Sequence, residues 1–507
     1  MHLLQPDLHS RRAFLKRSTQ LALSGTALPL ALNLAAMGEA AAFNATAGDY
    51  KALVCVFLYG GNDYGNTVVP FDDASYDLYS TIRGGATGRA AGGIALGQSA
   101  LLPTLLIPSG ATLDSMGVPR QFALNPGMTA LANLFNSGQA AVQLNVGPLV
   151  KPLTRAQYNS SDRVLYPRPP QLFSHNDQQS IWQSSSPEGS TVGWGGNMAD
   201  LALGLNNTAT FTCMSVTGNA VFLSGDSAVQ YQVGTGGAIA ISSAVPSSNI
   251  YGSSASGKRV SDAINTMLNQ TRNHALENEY TKVSKRSMKA QGMVKSAIAL
   301  ANGATVAGSA AALARFNVNE SLMNQLKTVA QLIIGRDTLG VKRQVFLVSI
   351  GGFDTHDYLI RDHGPLMGKV SAAMTAFQTA MTDLGIADKV TSFTASDFGR
   401  TLASNGDGSD HGWGSHHFVV GGAVNGKRFY GTAPPISTSD AKTGSVYNPE
   451  NQWHVGQGRL LPSTSVDQYA ATLAKWFGVA PGEMAGVLPK IVNFGGAGYP
   501  VDLGFMA

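Results

Sequence analysis

Apolar residues occur along the chain in short continuous runs, a pattern typical of strands that are buried on both faces of a sheet. Three of these runs lead directly to acidic residues: residues 52–59 precede Gly60, Gly61 and Asp63, residues 345–350 precede Gly351, Gly352, Asp354 and His356, and residues 390–395 precede Ser396 and Asp397. Segments with apolar residues at helical spacing separate the runs. The pattern predicts an α/β protein with a doubly wound, mostly parallel sheet flanked by helices.

Other segments continue this alternation of strands and helices. Residues 126–139 have apolar positions at helical spacing and a glycine near their end, and residues 140–146 form a further continuous apolar run. We therefore expect a helix followed by a buried strand, with helical crossovers that join parallel strands. Residues 322–334 and 366–384 are predicted to be amphipathic helices.

The pattern changes across residues 211–335. Residues 216–254 are rich in glycine and serine with short strand-like pieces, whereas residues 262–302 carry mixed charges and apolar residues at helical spacing without a proline. This change favours a mainly helical insertion or cap on the α/β domain. Its mixed charges are typical of a solvated helix surface.

The acidic residues at the strand ends are expected to lie together. In open α/β folds the carboxyl ends of parallel strands share one edge of the sheet, and ligands bind at that edge. We therefore expect Asp63, Asp354, His356 and Asp397 to converge, although a plain turn would also account for the first of these acids. The convergence, rather than any one motif, predicts a functional site.

Residues 394–422 form a loop rich in glycine, serine and asparagine after the third apolar run. Three of the ten histidines fall within seven residues here, His411, His416 and His417, beside Asp410 and without a lysine. This composition favours a metal or acid–base site, and the alternative is a polar surface loop. His416 and His417 are successive residues at the start of an apolar run, so we expect them to point to opposite faces.

Aspartate and neutral histidine are the ligands of Zn²⁺, Mn²⁺ or a mixed two-metal site. The predicted metal ligands are Asp63, Asp354, His356, Asp397, His411 and His416. Asp354 and His356 would face one ion, because they are two residues apart on a turn, and Asp397 would serve a second ion with Asp63. Two metals about 4 Å apart stabilise the attacking and leaving oxygens of phosphoryl transfer.

Two further residues are candidates for a catalytic role. Ser174 and His175 either open a predicted helix, with Ser174 as its cap, or supply a nucleophilic hydroxyl at Ser174 or a metal-site histidine at His175. Arg400 either binds an anionic group through two parallel hydrogen bonds or pairs with Asp397. The sequence leaves both choices open.

Composition narrows the class of protein. Charged residues make up 13% of the 507 residues, 58 residues are glycine, and the formal net charge is +4. Such a weakly charged, glycine-rich chain is typical of exported proteins, and it lacks the clustered lysine and arginine of a nucleic-acid surface. The two cysteines, Cys55 and Cys213, either form one disulfide or remain buried thiols.

The beginning of the chain resembles an export signal. Residues 10–16 read SRRAFLK, which matches a twin-arginine signal, and a broken apolar segment at residues 21–37 precedes the small residues of a cleavage site near Ala40 or Ala42. The segment is too short and too interrupted for a stable membrane span. We expect residues 1–42 to be removed, the twin-arginine translocase to be the export partner, and residues 43–507 to be periplasmic or secreted.

Several motifs together resemble one bacterial family. They are GGND at residues 60–63, GGFDTH at residues 351–356, SDFGR at residues 396–400, DHGWGSHHFVVGG at residues 410–422 and LPSTSVDQY at residues 461–469. With the twin-arginine leader, this combination is similar to the family called domain of unknown function 1501. The resemblance covers nearly all of residues 43–507.

That family resembles the alkaline phosphatase and sulfatase superfamily, which implies a doubly wound α/β core with a two-metal site. On this resemblance, the matches to metal ligands are Asp63 after the first strand, Asp354 with His356, Asp397 of the usual Asp-His pair, and His416 before a late strand. Phe398 stands where the histidine of the Asp-His pair is expected, so a complete two-metal site would need His411 as a substitute.

The resemblance implies a metal-dependent hydrolase of phosphate or sulfate esters, with a small anionic ester as its substrate. The dense histidine cluster of residues 394–422 favours this hydrolase. Phe398 favours the alternative, a non-catalytic secreted binding or structural protein that keeps the fold.

Overall fold

A computed structural model describes residues 49–246, 253–270, 272–317, 319–496 and 498–507. The leader predicted for residues 1–42 and its cleavage site lie outside the described residues. Within the described chain, no helix is long and apolar enough to cross a membrane.

The strands of the main sheet begin and end as follows: β1 Lys51–Leu58, β2 Ala140–Gly147, β3 Cys213–Ser215, β4 Tyr231–Gly234, β5 Gly237–Ala238, β6 Arg343–Ile350, β7 Val390–Ser396, β8 Ser415–Gly421, β9 Phe429–Tyr430 and β10 Thr464–Ser465. Their order in the sheet is β9-β2-β8-β7-β1-β6-β3-β4-β5, and β10 pairs with β2. Strand β8 is antiparallel to β7 and β2, and β5 is antiparallel to β4. The other pairings are parallel.

The α-helices are α1 Tyr64–Thr67, α2 Asp73–Arg83, α3 Thr129–Asn136, α4 Arg155–Asn159, α5 His175–Ser184, α6 Trp194–Ala202, α7 Ser254–Asn269, α8 Ala275–Asn302, α9 Ser309–Ala314, α10 Ser321–Ile334, α11 Arg336–Leu339, α12 Leu359–Asp383, α13 Val466–Phe477 and α14 Met484–Val487. Three small two-stranded ribbons pair Val68–Pro70 with Phe122–Leu124, Thr112–Leu113 with Pro119–Arg120, and Lys442–Thr443 with Val446–Tyr447.

Helices cover both faces of the sheet. Along β1, Val54 and Val56 pack into a core shared with α3, α10 and α12, whereas Cys55 and Phe57 pack into a core shared with α6 and α13. Because successive side chains of a strand point to opposite faces, a strand buried on both faces has no polar alternation. This packing explains the continuous apolar runs of the sequence.

The predicted fold class is confirmed as an α/β protein with a large sheet flanked by helices. The strands predicted at residues 52–59, 140–146, 345–350 and 390–395 correspond to β1, β2, β6 and β7, and the helices predicted at 322–334 and 366–384 correspond to α10 and to the C-terminal part of α12. The sheet is mixed, because β8 runs antiparallel between two strands of the parallel part. Within the predicted insertion, β3 and β4 belong to the main sheet, and the long helical segment is divided into α7 and α8.

The two cysteines are free, buried thiols. Cys55 lies on β1 and Cys213 on β3, and β6 runs between these strands. Neighbouring strands are about 4.8 Å apart, so the two backbones are separated by about 9.6 Å, which is more than the roughly 7 Å that a disulfide can bridge. The disulfide considered from the sequence is therefore wrong, and the buried-thiol interpretation is confirmed.

Candidate functional site

The site lies where three neighbouring strands end. Strand β1 is paired in parallel with β6 on one side and with β7 on the other, and Leu58 is level with both Ile350 and Ser396. The segments that follow these strands therefore leave the sheet at the same edge. Asp354 and Asp397 lie on two of these segments and contribute to one cluster, as the sequence predicts.

Gly60 connects the three strand ends through its backbone. Its N–H donates to Asp397 Oδ2 at 3.0 Å, and its carbonyl accepts a hydrogen bond of 3.0 Å from Arg400 Nη1. Its φ is 117°, and a Cβ there would lie 2.3 Å from the backbone nitrogen of Asp354. Glycine is required because only a residue without a side chain tolerates both this backbone angle and this approach.

His175, the first residue of α5, lies between two carboxylates. Its Nδ1 is 2.6 Å from Asp397 Oδ2, and its Nε2 is 3.4 Å from Asp354 Oδ2. The buried Nε2 has no hydrogen-bond partner within the described chain. A carboxylate on one ring nitrogen and a free second nitrogen is the arrangement that orients a histidine as a metal ligand.

His411 and His356 complete the cluster around Asp354. The Nε2 atoms of the two histidines are 2.9 Å apart, and each lies 3.3 Å from Asp354 Oδ1. The Nδ1 of His411 donates to the carbonyl of Phe173 at 2.7 Å, which leaves its Nε2 available as a ligand. The Nδ1 of His356 is 3.4 Å from Asp410 Oδ1.

The cluster has the donor atoms and the dimensions of a metal site. One ligand atom each from His175, Asp354 and His411 lies within 4.8 Å of the others. Two ligand atoms about 2.1 Å from a tetrahedral zinc ion are about 3.4 Å apart, close to the separations at Asp354. The unpartnered Nε2 of His175 points to the same conclusion, because a ligand would satisfy it. These residues therefore fit a divalent ion.

Burial and neighbouring charges shift the pKa values of the cluster residues. Partial burial raises the pKa of Asp354, whereas the hydrogen bond and charge of Arg400 and the charges of the nearby histidines lower it. The lowering is the larger effect, so the pKa of Asp354 is below its usual value. The hydrogen bond to Asp397 raises the pKa of His175, and burial lowers the pKa of His411. Asp354 is thus charged at neutral pH, with its side chain 46% exposed.

Phe398 forms one wall of the site. Its ring centroid lies 4.8 Å from that of His175 and 4.6 Å from that of His411. Phe398 is buried, so this ring holds two of the histidines by packing rather than by binding a metal. It occupies the position where the family resemblance implies another ligand.

Asp63 has a different role from the one that the sequence suggests. Its two carboxylate oxygens accept hydrogen bonds from Arg83, at 3.1 Å to Oδ1 and 2.6 Å to Oδ2, and both side chains are fully buried. Oδ1 also caps α1 by accepting from the N–H of Gly65. Both carboxylate oxygens of Asp63 are occupied by the ion pair with Arg83 of α2. The geometry therefore does not support the predicted second ion shared with Asp397.

His416 and His417 lie inside the protein. The N–H of Asn145 donates to His416 Nδ1 at 3.0 Å, while His417 Nδ1 lies 3.2 Å from Thr394 Oγ1 and its ring packs on Trp182. Burial lowers the pKa of each to about 3. The two rings contact different parts of the core, as expected for successive strand residues. Neither contacts the cluster, so His416 is a structural residue of β8.

Arg400 is fully buried and holds Asp354. Its Nη1 donates to Asp354 Oδ1 at 2.8 Å, and its Nε donates to the carbonyl and the hydroxyl of Ser409. Pairing with Asp397 is therefore wrong, and the guanidinium is not free to bind a substrate. Arg400 is a positioning residue for a candidate ligand.

Ser174 is not placed as a nucleophile. It is the N-cap residue of α5 without a side-chain capping bond, and its hydroxyl donates to Asp177 Oδ2 at 2.9 Å. Its neighbour His175 reaches the cluster instead. His175 is not among the ligands predicted from the sequence, and it contacts Asp397 across 222 residues of sequence. The only local signal is a histidine at the start of a helix after a proline-rich loop.

A comparison with protein-family models matches residues 50–450 to a family described as "Protein of unknown function (DUF1501)". A comparison with curated proteins finds no match. The matched residues include every member of the cluster and all strands of the main sheet except β10.

Proposed function

The chain belongs to the DUF1501 family of proteins of unknown function, and from the geometry of the cluster and the export signal in the sequence we propose that it is an exported hydrolase with one divalent metal ion. The ion is Zn²⁺ or Mn²⁺, held by His175, Asp354 and His411. The substrate is a small phosphate or sulfate ester. The unpartnered Nε2 of His175, 3.4 Å from Asp354 and fixed by Asp397, is the observation that carries the proposal.

One ion fits the site better than two. The second ion expected from the superfamily resemblance would need Asp63 and a histidine at position 398, but Asp63 is paired with Arg83 and position 398 is phenylalanine. Three protein ligands with an open position are typical of catalytic zinc sites, whereas structural zinc sites have four. The proposal therefore keeps the alkaline-phosphatase-like core as an expectation and replaces its two-metal centre with a single one.

Each surrounding residue has a defined task in this proposal. A divalent ion bound at the site supplies Lewis acidity, which polarises the ester and makes water a better nucleophile. Asp397 keeps the proton of His175 on Nδ1, and Arg400 fixes the carboxylate of Asp354. His356, the most exposed of the three cluster histidines, is the base that takes the proton of the attacking water. The water oxygen bonds to phosphorus or sulfur as the bond to the leaving oxygen breaks, and the leaving oxygen takes up a proton from solvent to depart as the alcohol.

Arg459 supplies the binding site for the anionic group. Its Nε donates to the carbonyl of His411 at 2.8 Å, and its guanidinium lies 5.5 Å from the ring centroid of Phe173. Its terminal nitrogens have no hydrogen-bond partner among the described residues. Partial burial lowers its pKa, because the charged guanidinium loses solvation there. Arginine binds phosphate and sulfate oxygens through parallel N–H groups, so Arg459 takes the role first considered for Arg400.

A second candidate function is a secreted binding protein that holds an ion without catalysis. The observation in its favour is that no serine or threonine hydroxyl contacts the cluster in the parts of the chain that the structure describes. The hydrolase proposed here avoids this difficulty because water is the nucleophile. The two candidates differ in what they predict for His356.

The first test measures metal content. Protein purified from the periplasm should contain about one zinc or manganese ion per chain by elemental analysis, and His175→Ala and His411→Ala should lose it. His274→Asn is the matched control, since His274 is an exposed residue at the start of α8. A wild-type protein that binds less than about half an ion per chain after metal loading would rule out both candidate functions.

The second test measures hydrolysis of aryl phosphates and aryl sulfates. His356→Ala should retain the ion and lose activity by about 10²–10⁴-fold, as expected for removal of a general base. If metal-loaded wild type and His356→Ala are equally inactive on every ester, the binding-protein candidate is favoured. If wild type and His356→Ala are equally active, His356 is not the general base.

A third test concerns export. A fusion of residues 1–42 to a reporter protein should reach the periplasm only when the translocase is present, because the pathway reads the arginine pair. Replacement of Arg11 and Arg12 by lysine should keep the reporter in the cytoplasm. Export of the reporter without the translocase, or with both arginines replaced by lysine, would contradict the twin-arginine route.

A further inference from the structure

Helix α8 carries one apolar seam along its length. The seam residues are Leu276, Tyr280, Val283, Ser287, Ala290, Val294, Ala297 and Ala301. Their spacing alternates between four and three residues, which is the spacing found where two helices pack side by side. The seam is therefore suited to contact with other apolar surface over nearly the whole helix.

Within the described residues, only the C-terminal half of the seam is covered by other elements. Ala290, Val294 and Ala297 are at most 6% exposed and belong to the core that contains α10. By contrast, Leu276, Tyr280 and Val283 are 75%, 73% and 49% exposed. Large apolar side chains in a continuous exposed patch indicate an interaction surface.

The exposed half of the seam adjoins a groove in the body of the protein. The groove has a volume of about 560 Å³ and lies between α8 and residues 227–231. Val283, Arg286 and Ala290 line one side, and Val229 and Tyr231 line the other. Val229 is 77% exposed, so the groove and the seam form one apolar surface.

Charges flanking the exposed half are segregated by sign. Glu277 and Glu279 lie near the start of α8, and Lys282, Lys285 and Arg286 follow within one to two turns. Within one chain, Glu279 is 3.7 Å from both Lys282 and Arg286, which is too long for a hydrogen bond. An antiparallel second copy of this helix would set the acidic end of each against the basic end of the other, whereas a parallel copy would oppose like charges.

We propose that the exposed half of α8 is an interface between two copies of this chain, paired antiparallel about a two-fold axis. In this register Tyr280 packs on the partner subunit's Val283, and Leu276 enters the groove beside the partner subunit's Ser287. Glu279 faces the partner subunit's Arg286, and symmetry makes each contact twice. This proposal does not depend on the metal site or on any catalytic activity.

The interface is tested by analytical ultracentrifugation of the purified protein from about 1 µM to about 200 µM. A short helical contact gives a small interface, so we expect reversible dimers with a micromolar dissociation constant. Leu276→Asp and Tyr280→Asp should each raise that constant by at least about tenfold, because each buries an uncompensated charge. Val492→Asp is the control, since Val492 is an equally exposed apolar residue, 68%, outside α8.

A charge exchange then tests the register. Glu279→Arg alone should weaken the dimer, because it opposes two arginines in both symmetric contacts. The double variant Glu279→Arg with Arg286→Glu should restore the wild-type dissociation constant. A wild-type protein that stays monomeric at every concentration, or a double variant that is no tighter than the single one, overturns the proposal. Unchanged thermal unfolding of the variants shows that they remain folded.

Discussion

One buried carboxylate decides the orientation of the candidate metal site. Asp397 Oδ2 accepts from the N–H of Gly60, from the amide of Gln179 at 3.0 Å and from His175 Nδ1. These contacts fix both the position of the acid and the tautomer of His175. The sequence predicts Asp397 as a metal ligand; its Oδ2 is occupied by these three donors, whereas its buried Oδ1 has no hydrogen-bond partner within the described chain. In the proposed site it orients the ligand His175.

We predict that Asp397→Asn lowers metal affinity by about 10–100-fold, the usual effect of losing the carboxylate behind a ligating histidine. The change removes the charge that keeps Nδ1 of His175 protonated, while the amide retains the size of the side chain. Competition with a chromophoric chelator measures the affinity. Asp357→Asn is the control, because Asp357 is an exposed acid on the segment that carries Asp354 and His356. Wild-type affinity in Asp397→Asn would contradict the assignment.

Arg459 gives a second prediction at the scale of one residue. Arg459→Met should keep the metal ion but weaken inhibition by inorganic phosphate or sulfate, with a loss of about 2–3 kcal/mol as expected for a charged hydrogen-bonding group. Isothermal titration of metal-loaded protein with phosphate checks this directly. Arg163→Met serves as the comparison, since Arg163 Nη1 is engaged by the carbonyl of Tyr158. Equal phosphate binding by wild type and Arg459→Met would remove Arg459 from the site.

At the scale of elements, the ends of three parallel strands place the site, and the packing between helices decides which acids are free to join it. Asp63 and Asp354 follow their strands after similar glycine pairs. Asp354 remains at the open edge, whereas Asp63 lies against α2 and pairs with Arg83. The repeated sequence pattern therefore produced one candidate ligand and one structural ion pair.

Replacement of Asp63 distinguishes a structural role from a ligand role. Asp63→Asn should lower the free energy of unfolding by about 3–5 kcal/mol, because it leaves the buried Arg83 without its counter-charge. Metal content of the folded protein should not change. Denaturant unfolding and elemental analysis measure the two effects.

The surface ion pair of Asp73 with Arg89 supplies the control for that experiment. The side chain of Asp73 is 76% exposed, so Asp73→Asn should cost less than about 1 kcal/mol. A small effect of Asp63→Asn on stability together with a loss of metal would show that Asp63 is a ligand after all.

At the scale of the whole molecule, buried neutral histidines link stability to pH. Burial lowers the pKa of His416 and His417 to about 3, and of His363 and His454 to about 4, from an ordinary value of 6.5. The unfolded chain binds these protons more readily, so their contribution to stability is complete above about pH 6.5. It is lost as the pH falls from 6.5 towards the folded values.

We therefore predict that metal-free protein loses stability between pH 7 and pH 5.5, at up to about 1.4 kcal/mol per pH unit for each buried histidine. His417→Asn keeps a side-chain oxygen near Thr394 Oγ1. It should reduce this slope by up to about 1.4 kcal/mol per pH unit, the contribution of one proton. His274→Asn is the matched control, because His274 is an exposed histidine outside the core. Urea unfolding at several pH values measures the slope, and equal slopes for wild type and His417→Asn would contradict the prediction.

The sequence by itself determined the local structure and the edge at which the site lies. Apolar runs specify strands buried on both faces, and Gly60 meets the requirement for a positive φ at the end of β1, because these properties depend on neighbouring residues and on burial alone. Only the tertiary structure decided the partners. In the folded protein Asp63 pairs with Arg83 and Asp354 pairs with Arg400. Asp397 contacts His175, which is 222 residues away in the sequence. Charge pairs form between side chains that the fold brings together in space, and sequence spacing does not record that distance.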